Sequence, residues 1–287
     1  MPELPEVETL RRSLAKNVLG HVILGVKVRR DSVINGSAKP KALLCGLRID
    51  QLIRHGKQLA ILGTMPEKDT ADRESPINRC ICVHLGMTGS LRYVASHHVM
   101  DPHCHVVWRL DGRAQLRFRD PRRFGGIWTF DSLSALRNQR WSRLGQDALT
   151  IKPKHLHEKL LATRRAIKAA LLDQQVIAGL GNIYVDELLF ACRLNPMLPA
   201  NRLTIQQVRP LVTKMKRLLA QAIEAGGSSL RDYVDSDGRR GKFQQLHQVY
   251  GREALPCRKC GLPLSKSQVA GRTTICCHQC QPLMVTQ

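Results

Sequence analysis

The residues at the start of the chain have types and spacings that suit covalent chemistry. The chain begins Met1-Pro2-Glu3-Leu4-Pro5-Glu6, and removal of Met1 would expose the secondary amine of Pro2. An amine can attack an electrophilic carbon and form an iminium, and an α-amine titrates nearer neutrality than Lys. The neighbouring Glu3 and Glu6 can transfer protons. The same prolines and acids also suit the start of a helix, so a capping role is the alternative interpretation.

Four cysteines near the other end of the chain have the spacing of a metal site. The pairs Cys257-x2-Cys260 and Cys277-x2-Cys280 are separated by 16 residues, and each CxxC turn presents two sulfurs to one ion. The pattern predicts one Zn²⁺ ion. Because all four positions are protein ligands, no position is open to water, and the ion is expected to be structural and not catalytic.

The composition favours a polyanionic partner. The 287 residues include 45 Lys and Arg against 23 Asp and Glu, a formal net charge of +22, and both halves of the chain are basic. Nucleic acid is the first candidate, and an anionic membrane is the alternative. The sequence predicts neither a signal peptide nor a transmembrane segment. Ten cysteines without a secretory leader favour a reducing compartment, so we expect a cytoplasmic, nucleoid-associated protein.

The elements that must position these residues can be read from periodicity. Residues 5–18 predict a helix with an apolar face at Val7, Leu10, Leu14 and Val18. Short β-rich segments between residues 21 and 130, separated by Gly, Asp and Pro, predict a sandwich or flattened barrel. Helical spacing takes over from about residue 133. Residues 64–78 are polar and aperiodic, and we interpret them as a surface loop insertion.

Motifs along nearly the whole chain resemble those of the bacterial formamidopyrimidine-DNA glycosylase (Fpg) family. The opening MPELPEVETLRR is followed in order by HGK, HLGMTGSLR, DPRRFG, AGLGNIYVDELLF, GGSSLRDYVDSDGRRGKFQQLHQVYGR and the cysteine-bearing terminus. The resemblance implies an α+β fold with an N-terminal β-sandwich and flanking helices, a helical helix–two-turn–helix domain and a C-terminal four-Cys zinc finger. The implied domains are residues 1–132, 133–247 and 248–282.

The resemblance also implies the activity and its catalytic residues. The enzyme would be a bifunctional glycosylase and AP lyase that removes oxidised purines from duplex DNA in base-excision repair. Pro2 would be the nucleophile, Glu3 the general acid and base at the sugar ring, and Glu6 its support. Lys57 would contact phosphate and assist β-elimination, and Arg272 would bind phosphate near the lesion and assist δ-elimination.

Further residues would contact the DNA. Met87, Arg122 and Phe124 match the family's trio that fills the space left by an everted base, and an apolar wedge, a hydrogen-bonding cation and a flexible plug suit that task. The implied contacts to the DNA backbone are His103, Arg123, Arg164, Lys168 and Asn182. Glu187 would either line the lesion pocket or make a structural helix contact. Residues 228–233 would belong to the loop that closes over the base.

One departure from the family pattern and two rival functions bear on this interpretation. Thr163 stands where the family often has a basic residue. Arg164 and Arg165 follow at once and are expected to supply that contact with a shifted register, with Arg164 as the first candidate. One rival is an endonuclease-VIII-like enzyme for oxidised pyrimidines, against which Leu4 argues because that branch usually has Gly there. The other is a non-catalytic, zinc-stabilised DNA-binding protein. The expected partner is damaged double-stranded DNA, with no membrane and no obligate protein partner, and the protein is expected to be a monomer.

Overall fold

The computed structural model describes residues 1–65, 78–229 and 233–283. Residues 66–77 of the predicted insertion and residues 230–232 of the predicted loop at 228–233 therefore lie outside the described residues. The helices are α1 (Leu4–Val18), α2 (Leu133–Gln139), α3 (Pro153–Leu161), α4 (Ile167–Leu172), α5 (Asn182–Cys192) and α6 (Ile205–Glu224). The strands are β1 (Ile23–Val28), β2 (Ile34–Asn35), β3 (Arg48–His55), β4 (Gln58–Thr64), β5 (Asn78–His84), β6 (Ser90–Ala95), β7 (Cys104–Leu110), β8 (Ala114–Arg119), β9 (Gly126–Phe130), β10 (Ser265–Val269) and β11 (Arg272–Cys276).

The chain divides into two compact units that do not follow sequence order. The first unit contains residues 1–142 and 225–242, and the second contains residues 143–224 and 243–287. The second unit holds α3 to α6 and the β10–β11 hairpin. The predicted α+β class is confirmed, with N-terminal sheets, a helical region and a C-terminal four-cysteine cluster. The predicted division at residues 132 and 247 into three domains stays a prediction.

Two sheets enclose the core of the first unit. Their strand orders are β1-β7-β8-β6 and β2-β9-β5-β4-β3. The central strands β4, β5 and β7 are buried along most of their length, and burial of their apolar side chains drives the packing of the sheets. The core includes Ile61, Ile81, Trp108 and Phe118 from the strands. The predicted sandwich-like arrangement is thus observed.

Helix α1 covers the core through its apolar face. Val7, Leu10, Leu14 and Val18 recur at helical spacing and are each at most 1% exposed, as predicted. Each fully buried Leu or Val side chain contributes roughly 1.5–3 kcal/mol relative to an exposed one. The amino terminus is therefore fixed on the sheets by a helix that cannot turn without exposing these side chains.

Candidate active site

The amino terminus enters α1 through a buried turn. Glu3 is the N-cap residue of α1, and Pro5 lies in the first turn, where its missing N–H leaves no hydrogen bond unmade. Pro2 is buried and Glu3 is only 2% exposed, whereas Met1 is 46% exposed. The structure thus places the predicted nucleophile and the predicted acid on the same rigid turn.

Glu6 uses both carboxylate oxygens to hold this turn. Its Oε2 accepts a hydrogen bond from the backbone N–H of Glu3 at 2.7 Å, and its Oε1 accepts one from the N–H of Ser228 at 2.7 Å. Its backbone carbonyl accepts a third from the Tyr233 hydroxyl at 2.9 Å. A Cβ on Gly227 would lie 2.9 Å from Glu6 Oε1. Glu6 therefore ties the amino terminus to both ends of the predicted lesion loop.

Lys57 lies in the tight turn between β3 and β4, as predicted, and is only 8% exposed. Strand pairing places Gln58 opposite His84 at the end of β5. Burial, followed by the positive charges of Lys57 and Arg140, lowers the pKa of His84 to about 4. The N–H of Gly86 donates to Nδ1 of His84 at 3.2 Å, so the neutral ring carries its proton on Nε2.

His84 was not singled out by the sequence interpretation, although it begins the HLGMTGSLR motif. A histidine at a strand end, one residue before a loop, is a weak signal in one sequence. Only the pairing of β4 with β5 shows that it stands beside Lys57. Lys57 and His84 therefore place one cation and one neutral hydrogen-bond donor at the same end of strands β4 and β5.

Met87, Arg122 and Phe124 lie on two neighbouring loops of the first unit. We call residues 85–89, between β5 and β6, the Met87 loop, and residues 120–125, between β8 and β9, the Phe124 loop. Met87 is 39% exposed and Phe124 is 55% exposed, although apolar side chains of this size are usually buried. The Arg122 guanidinium lies 4.6 Å from the centre of the Phe124 ring. The structure therefore brings the predicted trio together on one exposed edge.

His103 and Arg123 line a basic cleft of about 420 Å³ in the first unit. Both residues have the left-handed backbone conformation, with φ of 60° and 56°, so their side chains leave the chain at tight turns. Arg29 and Arg30 line the same cleft. These two arginines were not among the predicted DNA contacts, and a cluster of exposed cations suits a phosphodiester.

Lys168 and Asn182 converge on the β10–β11 hairpin in the second unit. Lys168 Nζ donates to the carbonyl oxygen of Thr273 at 2.8 Å, and Asn182 Nδ2 donates to the same oxygen at 2.9 Å. Lys168 also pairs with Asp186 at 2.7 Å, and both side chains are fully buried. The neighbouring residue Arg272 is exposed at the start of β11. In this structure Lys168 thus contacts the hairpin that carries Arg272.

Arg164 and Glu187 have contrasting environments. Arg164 is exposed, whereas its neighbour Arg165 pairs with Asp173 at 2.9 Å. Glu187 is 3% exposed, and its carboxylate accepts hydrogen bonds from the N–H groups of residues 248, 249 and 250. The structure thus shows the structural contact that was one of the two interpretations of Glu187.

The four predicted metal ligands form one cluster. The Sγ atoms of Cys257, Cys260, Cys277 and Cys280 all lie within 4.8 Å of one another. Two of the separations are 3.9 Å, between Cys257 and Cys280, and 3.4 Å, between Cys260 and Cys277. A tetrahedral ion with metal–sulfur bonds of about 2.3 Å needs sulfurs about 3.8 Å apart. The cluster therefore fits a single metal ion.

Within the described part of the chain, no helix combines the length and apolar character that crossing a membrane requires.

Family models match both halves of the chain. The Fpg N-terminal domain model matches residues 1–127, and the Fpg H2TH domain model matches residues 144–234. The formamidopyrimidine-DNA glycosylase of Bacillus licheniformis is 39% identical over 287 residues, covering 98% of this chain and 99% of that protein. The enzyme of Geobacillus kaustophilus is 37% identical over 286 residues, covering 98% of this chain and 100% of that protein.

Solved structures of Fpg proteins are similar to this chain over nearly its whole length. The MutM (Fpg) protein from Thermus thermophilus has a TM-score of 0.83 and 39% identity, with 98% of each chain covered. A complex of Lactococcus lactis Fpg with DNA containing Fapy-dG has a TM-score of 0.84 and 31% identity, covering 98% of this chain and 100% of that one. This chain belongs to the formamidopyrimidine-DNA glycosylase family.

Proposed function

We propose that this protein is a DNA glycosylase that removes oxidised purines from duplex DNA and then cleaves the strand as an AP lyase. The observation that carries the proposal is the buried Pro2–Glu3 turn, held by both oxygens of Glu6, in a chain whose relative forms a complex with Fapy-dG DNA. The basic cleft and the formal charge of +22 support a DNA ligand.

The proposed chemistry begins with a free Pro2 nitrogen, so it requires removal of Met1. The nitrogen attacks C1′ of the damaged nucleotide, and the glycosidic bond breaks with its electron pair leaving on the base. The proline nitrogen loses its proton, Glu3 protonates the ring oxygen O4′, and the C1′–O4′ bond breaks as an iminium forms between C1′ and the nitrogen. The enzyme and the sugar are then covalently joined, which makes the intermediate trappable.

Strand cleavage follows from the iminium. Loss of a C2′ proton sends electrons toward the iminium nitrogen, and the C3′–O3′ bond breaks by β-elimination. A second proton loss, at C4′, breaks the C5′–O5′ bond by δ-elimination. Lys57 and Arg272 would bind the flanking phosphates, which stabilises the departing anions. Hydrolysis of the remaining imine releases the enzyme.

The DNA contacts complete the proposal. Met87, Arg122 and Phe124 would occupy the space of the everted base. His103, Arg123, Arg164 and Asn182 would bind phosphates, and Lys168 would act through the hairpin that carries Arg272. We place the protein at the chromosome in the cytoplasm and expect it to act as a monomer.

We propose that the four-cysteine cluster holds one structural Zn²⁺ ion. The ion would join the two CxxC turns at the base of the β10–β11 hairpin, and all four of its ligands would be thiolates. Replacing Cys277 with Ser should lose zinc and DNA affinity together, since the hairpin presents Arg272. Metal content by atomic absorption and binding by fluorescence anisotropy measure both; wild-type affinity in a zinc-free variant would contradict the proposal.

Borohydride trapping tests the function directly. The substrate is duplex DNA with one 8-oxoguanine opposite cytosine, and the crosslinked peptide is identified by mass spectrometry. An adduct on Pro2 supports the substrate class, the nucleophile and Met1 removal together. An adduct only with an oxidised pyrimidine would favour the endonuclease-VIII-like function, and tight binding with no adduct on any lesion would favour a non-catalytic DNA-binding protein.

A further inference from the structure

We infer that Thr88 and Asp120 are positioning residues that lock the Met87 loop to the Phe124 loop, so that Met87, Arg122 and Phe124 enter the duplex as one rigid unit. The inference rests on the proposed function, and it concerns two residues that have no assigned contact with DNA.

The topology of the first unit brings the two loops side by side. The Met87 loop leaves the five-stranded sheet at β5 and enters the four-stranded sheet at β6, and the Phe124 loop makes the reverse crossing from β8 to β9. Pairing of His84 with Gly126 fixes one end of the two crossings, and pairing of Ser90 with Arg119 fixes the other. Between these ends, backbone pairing does not join the loops, so their relative position depends on other contacts.

The carboxylate of Asp120 supplies that contact. Its Oδ1 accepts a hydrogen bond from the Thr88 hydroxyl at 2.7 Å, and its Oδ2 accepts one from the N–H of Gly125 at 2.7 Å. Asp120 has no exposed surface. Hydrogen bonds to a carboxylate are short and about twice as strong as neutral ones. One side chain therefore closes its own loop and holds the neighbouring one.

The Thr88 hydroxyl completes the link in the other direction. Its oxygen accepts a hydrogen bond from the backbone N–H of Arg122 at 3.3 Å while it donates to Asp120. Thr88 lies next to Met87, and Arg122 lies two residues before Phe124. The Thr88 hydroxyl thus links the loop that carries Met87, the apolar plug, to the loop that carries Phe124, the wedge.

Two glycines allow the loops to approach so closely. A Cβ on Gly86 would lie 2.3 Å from the backbone nitrogen of Gly125, and a Cβ on Gly125 would lie 2.5 Å from the carbonyl oxygen of His84. Real Cβ atoms do not approach backbone atoms at such distances, so the backbones touch directly here. Contact at this range transmits displacement of one loop to the other.

Asp120 also anchors the two loops to the four-stranded sheet at the start of β7. Its backbone N–H donates to the carbonyl of His103 at 3.1 Å, and its carbonyl accepts from Nε2 of His105 at 2.8 Å. The same carbonyl accepts from the N–H of Arg123 at 3.3 Å. The lock thus joins the inserting side chains to the basic cleft in which His103 and Arg123 lie.

A lock of this kind should matter only where the duplex has to be invaded. Inserting these side chains between stacked bases requires energy to unstack the bases. A loop that shifts under this load inserts its side chain less fully and supplies less of that energy. A preformed abasic site in single-stranded DNA needs no base eversion, and formation of the iminium there uses none of the inserting side chains. The two substrates therefore separate positioning from chemistry.

The test compares Thr88→Val, which keeps the shape and removes the hydroxyl, with Thr88→Ser, which keeps the hydroxyl. Thr213→Val, on an exposed position of α6, makes the same chemical change away from the loops. Loss of a hydrogen bond to a charged group predicts that Thr88→Val lowers single-turnover excision of 8-oxoguanine from duplex DNA by about tenfold or more. Thr88→Ser and Thr213→Val should stay near the wild-type rate.

Two further readouts separate positioning from a general structural defect. Borohydride trapping of Thr88→Val on single-stranded abasic DNA should match the wild type. Fluorescence of 2-aminopurine next to the base opposite an abasic analogue should rise less with Thr88→Val than with the wild type, because the wedge inserts less.

Equal duplex excision by Thr88→Val and the wild type would overturn the inference alone. So would a parallel loss of trapping on single-stranded abasic DNA, because the defect would then lie in the chemistry or the fold. If the wild-type enzyme forms no adduct on abasic DNA, the proposed function fails and the inference fails with it.

Discussion

At the scale of single residues, the amino-terminal turn combines the proposed chemistry with an ordinary structural role. Glu3 caps α1 and Glu6 satisfies its backbone N–H, which is what a helix start needs. The same contacts bury Glu3 and fix it beside Pro2. The capping interpretation and the catalytic one are therefore compatible, since the cap is what holds the acid in place.

Pro2→Gly and Glu3→Gln should each abolish base excision while the fold and the metal content remain. Gly keeps an amine but replaces the ring, and Gln keeps the size of Glu3 without its proton transfer. Activity is measured by single-turnover excision, and the fold by circular dichroism. Wild-type turnover in either folded variant would contradict the proposed mechanism.

His84 should make stability depend on acid pH. Its pKa is lowered from 6.5 to about 4 in the folded protein, so below pH 6.5 the unfolded chain takes up a proton that the folded chain does not. The stabilisation is full above pH 6.5 and is lost as the pH falls toward 4, by about 3 kcal/mol in all.

Urea denaturation between pH 7 and pH 4 measures this dependence. His84→Gln should make the profile less steep in this interval, although burial also lowers the pKa of His247 to about 4 and leaves it a contribution of the same sign. His97→Gln, at an exposed position, should reproduce the wild-type profile. A His84→Gln profile as steep as that of the wild type would show that His84 does not contribute to the pH dependence.

At the scale of elements, buried polar contacts position the side chains that the proposed reaction uses. In the second unit, Lys168 on α4 and Asn182 on α5 both donate to Thr273, and Asp186 accepts from the N–H of Ile275 at 3.2 Å. These contacts fix the β10–β11 hairpin against two helices. The exposed Arg272 therefore depends for its position on Lys168 and Asp186, whose side chains are fully buried.

Lys168→Met should destabilise the second unit by about 3–5 kcal/mol, because it leaves Asp186 as an unpaired buried charge. The double variant Lys168→Met/Asp186→Leu should recover much of that loss, since neither charge of the pair then remains buried. Breaking the exposed pair with Arg165→Met should cost about 0–1 kcal/mol. Hydrogen exchange of α5 amides measures all three; equal effects of Lys168→Met and Arg165→Met would show that burial of the pair is unimportant.

At the scale of the whole molecule, the formal charge of +22 makes the salt dependence of DNA binding informative. Each phosphate contact adds about 0.9 to the slope of log affinity against log salt concentration. Arg123→Gln should therefore reduce the slope by about 1 and weaken binding to all duplexes alike.

Phe124→Ala, one residue away, provides the contrast. It removes an apolar wedge, so it should weaken binding to lesion DNA without changing the slope. Fluorescence anisotropy titrations over a range of NaCl concentrations give both values. An unchanged slope in Arg123→Gln would show that Arg123 does not contact phosphate.

Local patterns in the sequence determined much of this protein. Spacing alone predicted the cysteine cluster, because CxxC turns form within a few residues, and periodicity predicted α1 and its buried face. The order of motifs identified the family. Each of these features depends on neighbours in the chain, so one sequence is enough to reveal it.

Only the tertiary structure decided which distant residues act together. Pairing of β4 with β5 puts His84 beside Lys57, and two opposite crossings between sheets put Thr88 against Asp120. The family resemblance implied a DNA contact for Lys168, yet packing of α4 against α5 and the hairpin buries it beside Asp186. Burial and partnership are properties of the packed chain, because they depend on contacts between residues far apart in sequence.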